Sequence, residues 1–256
     1  MEHKNTLGVV VITKNEAKNI GRCLASVKWA DERIVIDSQS SDNTVEIAES
    51  FGAKVIVRHW PGDGPQKYFG ISKLSTRWCL VLDADEEVSK TLAKSIREAV
   101  KSGTNSCYKI HRRSFFLGKL IKYGDWGRDQ IVRLFLRDKH EYTQDVAHAR
   151  VNVKKSDATL LKGELIHHTQ ENIFLSIQKC NDYSTLSAEM MAQKGKKSTF
   201  LKAIVRGHLA FVRNYFVKLG FLDGVRGYML ARNIAFGAYL KYLKLAYDLK
   251  PQTQHD

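Results

Sequence analysis

Two carboxylates that directly follow an apolar run are the residues of this chain best suited to chemistry. Asp83 and Asp85 come after the run 78–82, which is typical of a buried parallel strand. The carboxyl ends of such strands form the ligand-binding edge of open α/β sheets. Paired carboxylate oxygens there suit Mg²⁺ or Mn²⁺ shared with a diphosphate. Acidic residues also occur where helices begin, so a helix N-terminus is the alternative interpretation.

The elements that must position this pair alternate between strand and helix along the first hundred residues. Strands are predicted at 7–13, 33–37, 53–57, 78–83 and 107–111, and helices at 15–28, 44–51, 65–74 and 90–101. This alternation predicts a parallel sheet joined by right-handed crossovers. The first strand is not followed by a glycine-rich dinucleotide fingerprint, which disfavours a Rossmann-type dehydrogenase.

Polar residues follow the first two predicted strands at the point where each strand ends. Thr13, Asn15 and Glu16 close the first strand, and Asp37 and Ser38 close the second. Because parallel strands end at the same edge of a sheet, we expect these residues to meet the acidic pair in one crevice. Ordinary caps and turns are the alternative role for such residues.

The pattern changes after residue 112. Strands are predicted at 131–136 and 145–153, the stretch 160–168 is less regular, and the chain reads as helical from about residue 171. We therefore expect an α/β catalytic domain over 1–170 and a basic helical region over 171–256. The N-terminus lacks a signal-peptide pattern, no run is long and apolar enough for a membrane span, and the four scattered cysteines favour free thiols in a reducing cytosol.

The positive charge is concentrated in the helical region. The chain carries a net charge of +14, and twelve Lys or Arg lie between residues 194 and 250 against two Asp. Basic and aromatic residues interleave on one predicted helix: Lys202, Arg206 and Arg213 with Phe200, Ile204, Phe211 and Tyr215. A helix of this kind predicts contact with an anionic membrane surface. A nucleic-acid-binding face and a merely solvated face are the alternatives.

Several short segments, in this order along nearly the whole chain, resemble the family 2 glycosyltransferases, which have the GT-A fold. The segments are 11–16, 35–38, 41–44, 64–67, 82–86, 133–135, 167–168 and 220–224. More narrowly, the chain resembles the branch that adds a hexose to the inner core of bacterial lipopolysaccharide. The resemblance implies a Rossmann-like GT-A domain with a mostly parallel sheet.

The resemblance also assigns residues to a nucleotide-sugar donor and a metal. It implies donor-binding roles for Thr13, Asn15, Glu16, Asp37, Ser38, Gln66, Lys67, Asp83 and Ala84. It implies that Mn²⁺ or Mg²⁺ is bound by Asp85 and Asp83 with a histidine as a further ligand. Of the two candidates, His167 begins the family pattern and is preferred to His168.

One position departs from the family pattern. Relatives typically carry a glutamate, the natural general base, where this chain has Ala149. In an ideal strand over 145–153, Asp145 would lie about 13 Å away, too far to replace it. His148 would point to the opposite face of that strand. Asp129 is the remaining candidate, because the family has an acidic residue there. Ala149 is either a natural variant served by another base or an engineered replacement, and without a base the enzyme would be impaired.

The predicted function is inverting, metal-dependent transfer of a hexose, expected to be glucose, from a UDP-sugar to a heptose of the lipopolysaccharide inner core. The expected location is the cytoplasm, peripheral on the inner membrane near a lipid A-linked acceptor, without a nucleic-acid partner. The alternatives are a nucleotidyltransferase, whose glycine-rich loop is missing after the first strand, and a nucleic-acid-binding protein. The latter leaves Asp37, Asp83 and Asp85 unexplained.

Overall fold

A computed structural model describes residues 5–127, 129–146 and 149–249. The chain divides into two compact units, one of residues 1–113 and 129–168 and one of residues 114–128 and 169–256. The boundary predicted at residue 170 stays a prediction, and in this division 114–128 lies with the helical unit. There the carboxylate of Asp223 accepts hydrogen bonds from the backbone amides of Lys122 and Tyr123, which ties that segment to the helices.

Strands and helices alternate in the first part of the chain, and long helices make up its last part. The strands are β1 Leu7–Thr13, β2 Glu32–Asp37, β3 Lys54–Val57, β4 Trp78–Asp83, β5 Glu86–Val88, β6 Cys107–Phe116, β7 Lys119–Leu120, β8 Gln130–Leu136 and β9 Thr159–His167. The helices are α1 Ile20–Ser26, α2 Thr44–Ser50, α3 Asp63–Ser72, α4 Lys90–Ser102, α5 Gly124–Gly127, α6 Ile173–Gln193, α7 Phe200–Val212 and α8 Gly224–Tyr247.

The sheet of the first unit has the order β3-β2-β1-β4-β8-β6-β9-β5. Neighbours among β3, β2, β1 and β4 run parallel, whereas β8 runs antiparallel to β4 and to β6, and β5 runs antiparallel to β9. Every residue of β1 is buried, as expected for a strand covered on both faces. The predicted α/β class with a C-terminal helical region is confirmed, and the parallel strands are those that carry the predicted site.

Alternate residues of β1 enter two different apolar layers. Val9 and Val11 belong to a cluster that also contains Leu24 of α1 and Ile96 of α4. Val10 belongs to the cluster on the other face. This alternation follows from the two-residue period of a strand. Packing on both faces fixes the position of the central strands, and therefore of the polar residues at their carboxyl ends.

The acidic pair does not lie at a helix N-terminus. Asp83 is the last residue of β4, Asp85 follows in the turn before β5, and α4 begins only at Lys90. The helix-start alternative is therefore wrong. The short strand β5 was not predicted from the sequence, because three residues are too few to show a period.

The described residues of the segment 145–153, which was predicted as a strand, do not form one. It contributes a single bridge between Tyr142 and Val151. The carbonyl groups of Asp145 and Val146 accept instead from the backbone amides of Gly64 and Asp63 at the start of α3. The distance that an ideal strand implied between Asp145 and Ala149 therefore no longer applies. Ala147 and His148, like Arg128, lie outside the described residues.

The stretch 160–168 is more regular than the sequence suggested. It forms β9, which pairs antiparallel with β5 so that His167 lies opposite Glu86. The sequence did not show a clear strand pattern here because exposed and buried positions do not alternate strictly along β9. This pairing brings the predicted histidines next to the acidic turn.

In the second unit, α6 and α7 both pack against α8. α7 continues into a π-helical turn at Arg213–Val217. A Cβ atom added to Gly207 of α7 would lie 3.0 Å from Cβ of Tyr239 of α8, so the glycine permits the close approach of these helices. Within the described residues, no helix has both the length and the apolar character needed to cross a membrane.

Candidate active site

Three strand ends meet at one edge of the sheet, as predicted. In the parallel registers, Thr13 pairs with Asp37 and Ile12 pairs with Asp83. The backbone amide of Ser38 donates to the carbonyl oxygen of Thr13 at 2.9 Å. The carboxyl ends of β1, β2 and β4 therefore lie side by side, where ligands bind in sheets of this kind.

The loops after β1 and β2 are fastened to each other. The side-chain oxygen of Asn15 accepts from the backbone amide of Ser41 at 2.8 Å, and the backbone amide of Asn15 donates to the hydroxyl of Ser40 at 2.8 Å. The buried carboxylate of Asp37 accepts from the amide of Ser40. The carboxylate of Glu16 accepts from the side chain of Asn19. These are hydrogen bonds of the type found in helix caps and turns, and they fix the shape of the loops at this edge of the sheet.

Two buried oxygen atoms at this edge have no hydrogen-bond partner among the described residues. They are the side-chain oxygen of Gln66 and the hydroxyl of Thr13. Gln66 lies in α3, is fully buried, and donates through its amide nitrogen to the hydroxyl of Ser38 at 3.0 Å. Buried polar atoms rarely stay unpaired. Their chemistry fits a ligand that supplies N–H or O–H donors, as a nucleoside does.

Asp83 is held between two buried cations. One carboxylate oxygen lies 2.9 Å from Nζ of Lys67, and the other lies 2.8 Å from Nη2 of Arg133. Burial alone would raise the pKa of the Asp83 carboxyl, but Lys67 and Arg133 hold it well below its usual range. Lys67 also pairs with Asp63 at 2.8 Å. Ala84, the next residue, is buried in the core. Asp83 thus anchors an ion network.

Glu86 is the centre of that network, and the sequence interpretation missed it. Its side chain is fully buried and accepts from Arg133 at 3.1 Å and from the backbone amide of Asp83 at 2.9 Å. Arg112 lies 3.4 Å from Glu86 and 2.6 Å from Asp129. Burial alone would lower the pKa of Arg112, but these carboxylates raise it above its usual value.

A sequence signal for this network exists. Arg133 interrupts the apolar run of β8, and a buried arginine requires a carboxylate partner. The partner could not be identified from the motif that contains Arg133, because Asp83 and Glu86 are about fifty positions away in the chain.

The turn after β4 places Asp85 beside one histidine. Nε2 of His167 lies 3.4 Å from the Asp85 carboxylate. Nε2 of His168 lies 3.2 Å from Glu87, and the backbone amide of His168 donates to the carbonyl oxygen of Asp85. Of the two predicted histidines, His167 is therefore the one next to Asp85.

The donor set at this turn fits a divalent metal that is shared with a ligand. Among the described residues, no cluster of three or more His, Cys, Asp or Glu side chains has metal-binding geometry. Asp85 and His167 supply one carboxylate and one imidazole, both suited to Mn²⁺, at a spacing that permits one ion to contact both. Two protein ligands leave coordination positions for phosphate oxygens and water, as is common for Mg²⁺ and Mn²⁺ with nucleotides.

The two positions considered for the general base lie in different surroundings. One carboxylate oxygen of Asp129 accepts from both Nε and Nη2 of Arg112. Ala149 is partly buried against the core, and its carbonyl oxygen accepts from the hydroxyl of Tyr142 at 3.3 Å. A general base at either position stays a prediction.

The aromatic residues of the helix predicted to be basic and aromatic are divided between packed and exposed positions. Phe211 and Tyr215 stack on each other at 5.2 Å, and Tyr228 of α8 lies edge-on to both. The exposed apolar side chains of α7 include Leu201, Val205, Leu209 and Val212. Arg213 pairs with Asp125. The outward face therefore carries an aliphatic stripe, with Phe200 exposed at the start of the helix.

Known proteins resemble this chain over nearly its whole length. The model of the family described as "Glycosyl transferase family 2" matches residues 8–160. An uncharacterized glycosyltransferase of Rickettsia felis is 31% identical over 95% of this chain and 90% of its own length. The lipopolysaccharide core biosynthesis glycosyltransferase LpsC of Rhizobium meliloti is 26% identical over 94% of this chain and 92% of its own length.

Solved structures resemble the chain only distantly. Staphylococcus aureus TarS aligns over 86% of this chain and 46% of its own with a TM-score of 0.49 and 14% identity. Glucosyl-3-phosphoglycerate synthase of Mycobacterium tuberculosis, solved with Mn²⁺ and UDP, aligns over 43% of this chain and 44% of its own with a TM-score of 0.36 and 23% identity. At these values neither likeness bears on function.

Proposed function

Because the chain belongs to glycosyl transferase family 2, we propose that it transfers a hexose from a UDP-sugar to a sugar of the lipopolysaccharide core, with inversion at the anomeric carbon. Family membership establishes an enzyme that transfers glycosyl groups and favours this reaction over nucleotidyl transfer. UDP-glucose is the proposed donor, and an inner-core heptose is the proposed acceptor.

The observation that carries the donor proposal is the convergence of Thr13, Asp37 and the 83–85 turn on one sheet edge. Asp37 and the unpaired oxygens of Thr13 and Gln66 would accept hydrogen bonds from the base and ribose of the nucleotide. The loop contacts of Asn15 and the other polar residues at this edge hold it in place before the donor arrives. Little ordering would then be needed on binding.

Asp85 and His167 would hold the divalent metal at the diphosphate. When bound, such an ion supplies positive charge that stabilises the departing UDP. Asp83 has a different role in this proposal. Its ion pairs with Lys67 and Arg133 hold the end of β4 in position, so that the adjacent turn presents Asp85 rather than both carboxylates.

The acceptor hydroxyl would attack the anomeric carbon from the face opposite the diphosphate. The new bond forms between the acceptor oxygen and that carbon while the bond from the carbon to the diphosphate oxygen breaks. The hydroxyl proton passes to a general base. Asp129 is the proposed base, acting through the carboxylate oxygen that Arg112 does not engage.

The acceptor class is supported by the relative LpsC, whose name specifies lipopolysaccharide core biosynthesis. The helical unit would contact the anionic membrane surface near a lipid A-linked acceptor, with the enzyme peripheral on the cytoplasmic face. Its exposed aliphatic stripe beside Lys202 and Arg206 suits that role. The expected absence of a nucleic-acid partner stays a prediction.

A ligand-dependent thermal shift tests the proposal. UDP with Mn²⁺ should raise the melting temperature, whereas CTP, ATP and a short oligonucleotide should not, because only a specific ligand stabilises the folded state. The shift should vanish in Asp85→Ala and in His167→Ala and persist in the matched control His168→Ala. A shift with the oligonucleotide alone would overturn the proposal. A screen of UDP release with different UDP-sugars then identifies the donor.

A further inference from the structure

A large cavity lies within the helical unit, which is not the unit that holds the sheet edge of the candidate active site. Its volume is about 540 Å³, which falls in the range of small-molecule binding sites. Residues of α6, α7 and α8 line it, and most of them are apolar. Among the lining residues are Ile177 of α6, Phe211 of α7, and Arg232 and Tyr239 of α8.

The cavity is bordered by apolar side chains that are exposed to solvent. On α6, Ile177 lines the cavity and is 52% exposed, and the neighbouring Phe174 is 74% exposed. On α7, Leu209 is 56% exposed and follows His208, which lines the cavity. Exposed apolar surface that continues into an apolar cavity marks a binding site, and the matching ligand is an apolar chain.

One cation, Arg232, lines this cavity, and three others lie on α7 and α8 near lining residues. Arg232 lines it and lies 5.5 Å from the ring of Phe211. Lys202, Arg206 and Lys241 lie 5.1–5.7 Å from the ring of Tyr242, one turn of α8 beyond Tyr239. In the part of the chain that the structure describes, none of these four cations forms an ion pair with a carboxylate.

This charge distribution identifies the occupant. A protein partner with a neutral apolar segment would supply no anion for these four cations. An anionic bilayer attracts Lys and Arg side chains and also supplies apolar chains. The apolar cavity and its cations therefore match the two parts of an acidic lipid.

We propose that this cavity binds one acyl chain of an anionic bilayer phospholipid, with the lipid phosphate at Arg232. The inference rests on the membrane contact in the proposed function and deepens it, because it adds a site for a single lipid to a general surface attraction. The bound chain would fix how the helical unit lies on the membrane.

The test uses the full-length protein and a soluble probe, myristoyl lysophosphatidylglycerol below its critical micelle concentration, with binding followed by calorimetry. Saturable binding of one molecule per chain is expected, and glycerol-3-phosphate, which has no acyl chain, should not bind. Ile177→Trp fills the exposed mouth of the cavity and should weaken binding by about tenfold or more. Tyr183→Trp, also exposed on α6 but outside the lining, is the matched control and should bind as the parent does.

Arg232→Gln tests the headgroup and should weaken binding by about threefold to tenfold. It should also reduce the difference in affinity between lysophosphatidylglycerol and lysophosphatidylcholine, because the headgroup of the latter is neutral overall. Unchanged binding in Ile177→Trp, or equal binding of both lipids by the parent protein, would overturn the proposal. So would lipid-free dimerisation that Ile177→Trp abolishes, because a second copy would then occupy the groove.

UDP binding measured on the same samples separates this inference from the proposed function. Retained UDP affinity in Ile177→Trp shows that the variant is folded, so that its loss of lipid binding belongs to the cavity. Absence of UDP affinity in the parent would contradict the donor proposal while leaving the lipid result standing. Vesicle binding without binding of the monomeric probe would retain the membrane contact and overturn the cavity site.

Discussion

Charged side chains are buried and paired at the sheet edge of one unit of this protein and exposed on the helices of the other. At the sheet edge, Lys67, Arg133 and Glu86 are buried and each contacts an oppositely charged group within 3.1 Å. In the helical unit, Lys202 and Arg206 lie outside the core beside exposed aliphatic residues. Buried pairs depend on accurate geometry, whereas exposed charges attract a partner over a longer range. The first arrangement suits a preorganised site, and the second suits a surface.

The largest effect is expected from breaking the buried network. Asp83→Ala would leave Lys67 and Arg133 without their shared partner and should lower the free energy of unfolding by about 3–5 kcal/mol. Asp85→Ala, two residues away, should cost less, because Asp85 lies 3.4 Å from a histidine, whereas Asp83 lies within 2.9 Å of Lys67 and Arg133. Urea denaturation of both variants measures the difference. Equal losses would contradict the division between an anchoring and a ligand-binding carboxylate.

The next largest effect concerns the missing glutamate. If no other group serves as the base, Ala149→Glu should raise turnover by about 10²-fold or more, measured as UDP release with the correct donor and acceptor. Ala149→Gln, which has a similar size and no basic carboxylate, is the control. An unchanged rate in Ala149→Glu, together with a large loss in Asp129→Asn, would assign the base to Asp129.

A smaller effect is expected from pH. The pKa of Asp83 is held well below its usual range in the folded protein, so its charge stabilises the fold above the unfolded pKa of about 3.9. That stability is lost as the pH falls from there through the folded pKa, with a slope of up to about 1.4 kcal/mol per pH unit.

Asp83→Asn should remove this part of the acid sensitivity. The other carboxylates of the network, Asp63, Glu86 and Asp129, remain in both proteins, so the comparison isolates Asp83. Chemical denaturation at several values between about pH 5 and pH 3 checks it, with these limits chosen to bracket the usual Asp pKa of about 3.9. If the free energy of unfolding depends on pH in the same way in parent and variant, Asp83 is not the group responsible for the acid sensitivity.

The smallest effect on stability is expected on the helical surface. Leu209→Ser should change the free energy of unfolding by about 0.5 kcal/mol or less, because this side chain is exposed. Its binding to vesicles containing anionic phospholipid should nevertheless weaken severalfold. Sedimentation with vesicles at increasing salt measures this, and binding should fall as salt screens the basic residues. Salt-independent binding, or equal binding to neutral vesicles, would contradict a role for the charges.

Much of the fold could be predicted from local patterns. The apolar runs ending at Thr13, Asp37 and Asp83 identified three parallel strands, since their signal lies within a few consecutive residues. The same runs placed their polar ends at one edge, because parallel strands must end together. The segment around Asp145 was predicted wrongly, because its backbone bonds go to the start of α3 rather than to a neighbouring strand. Residues far away in the chain decide that choice.

By itself, the sequence determined that β1, β2 and β4 end in polar residues, among them Thr13, Asp37 and Asp83. Only the tertiary structure decided how Asp83 and Asp85 differ. Asp83 meets Lys67 and Arg133, sixteen and fifty positions away, and Asp85 meets His167 through the pairing of β5 with β9. The same holds for α7, whose outward face is the one that α8 leaves uncovered. Ion pairs and burial depend on which elements pack together, and no local pattern encodes that.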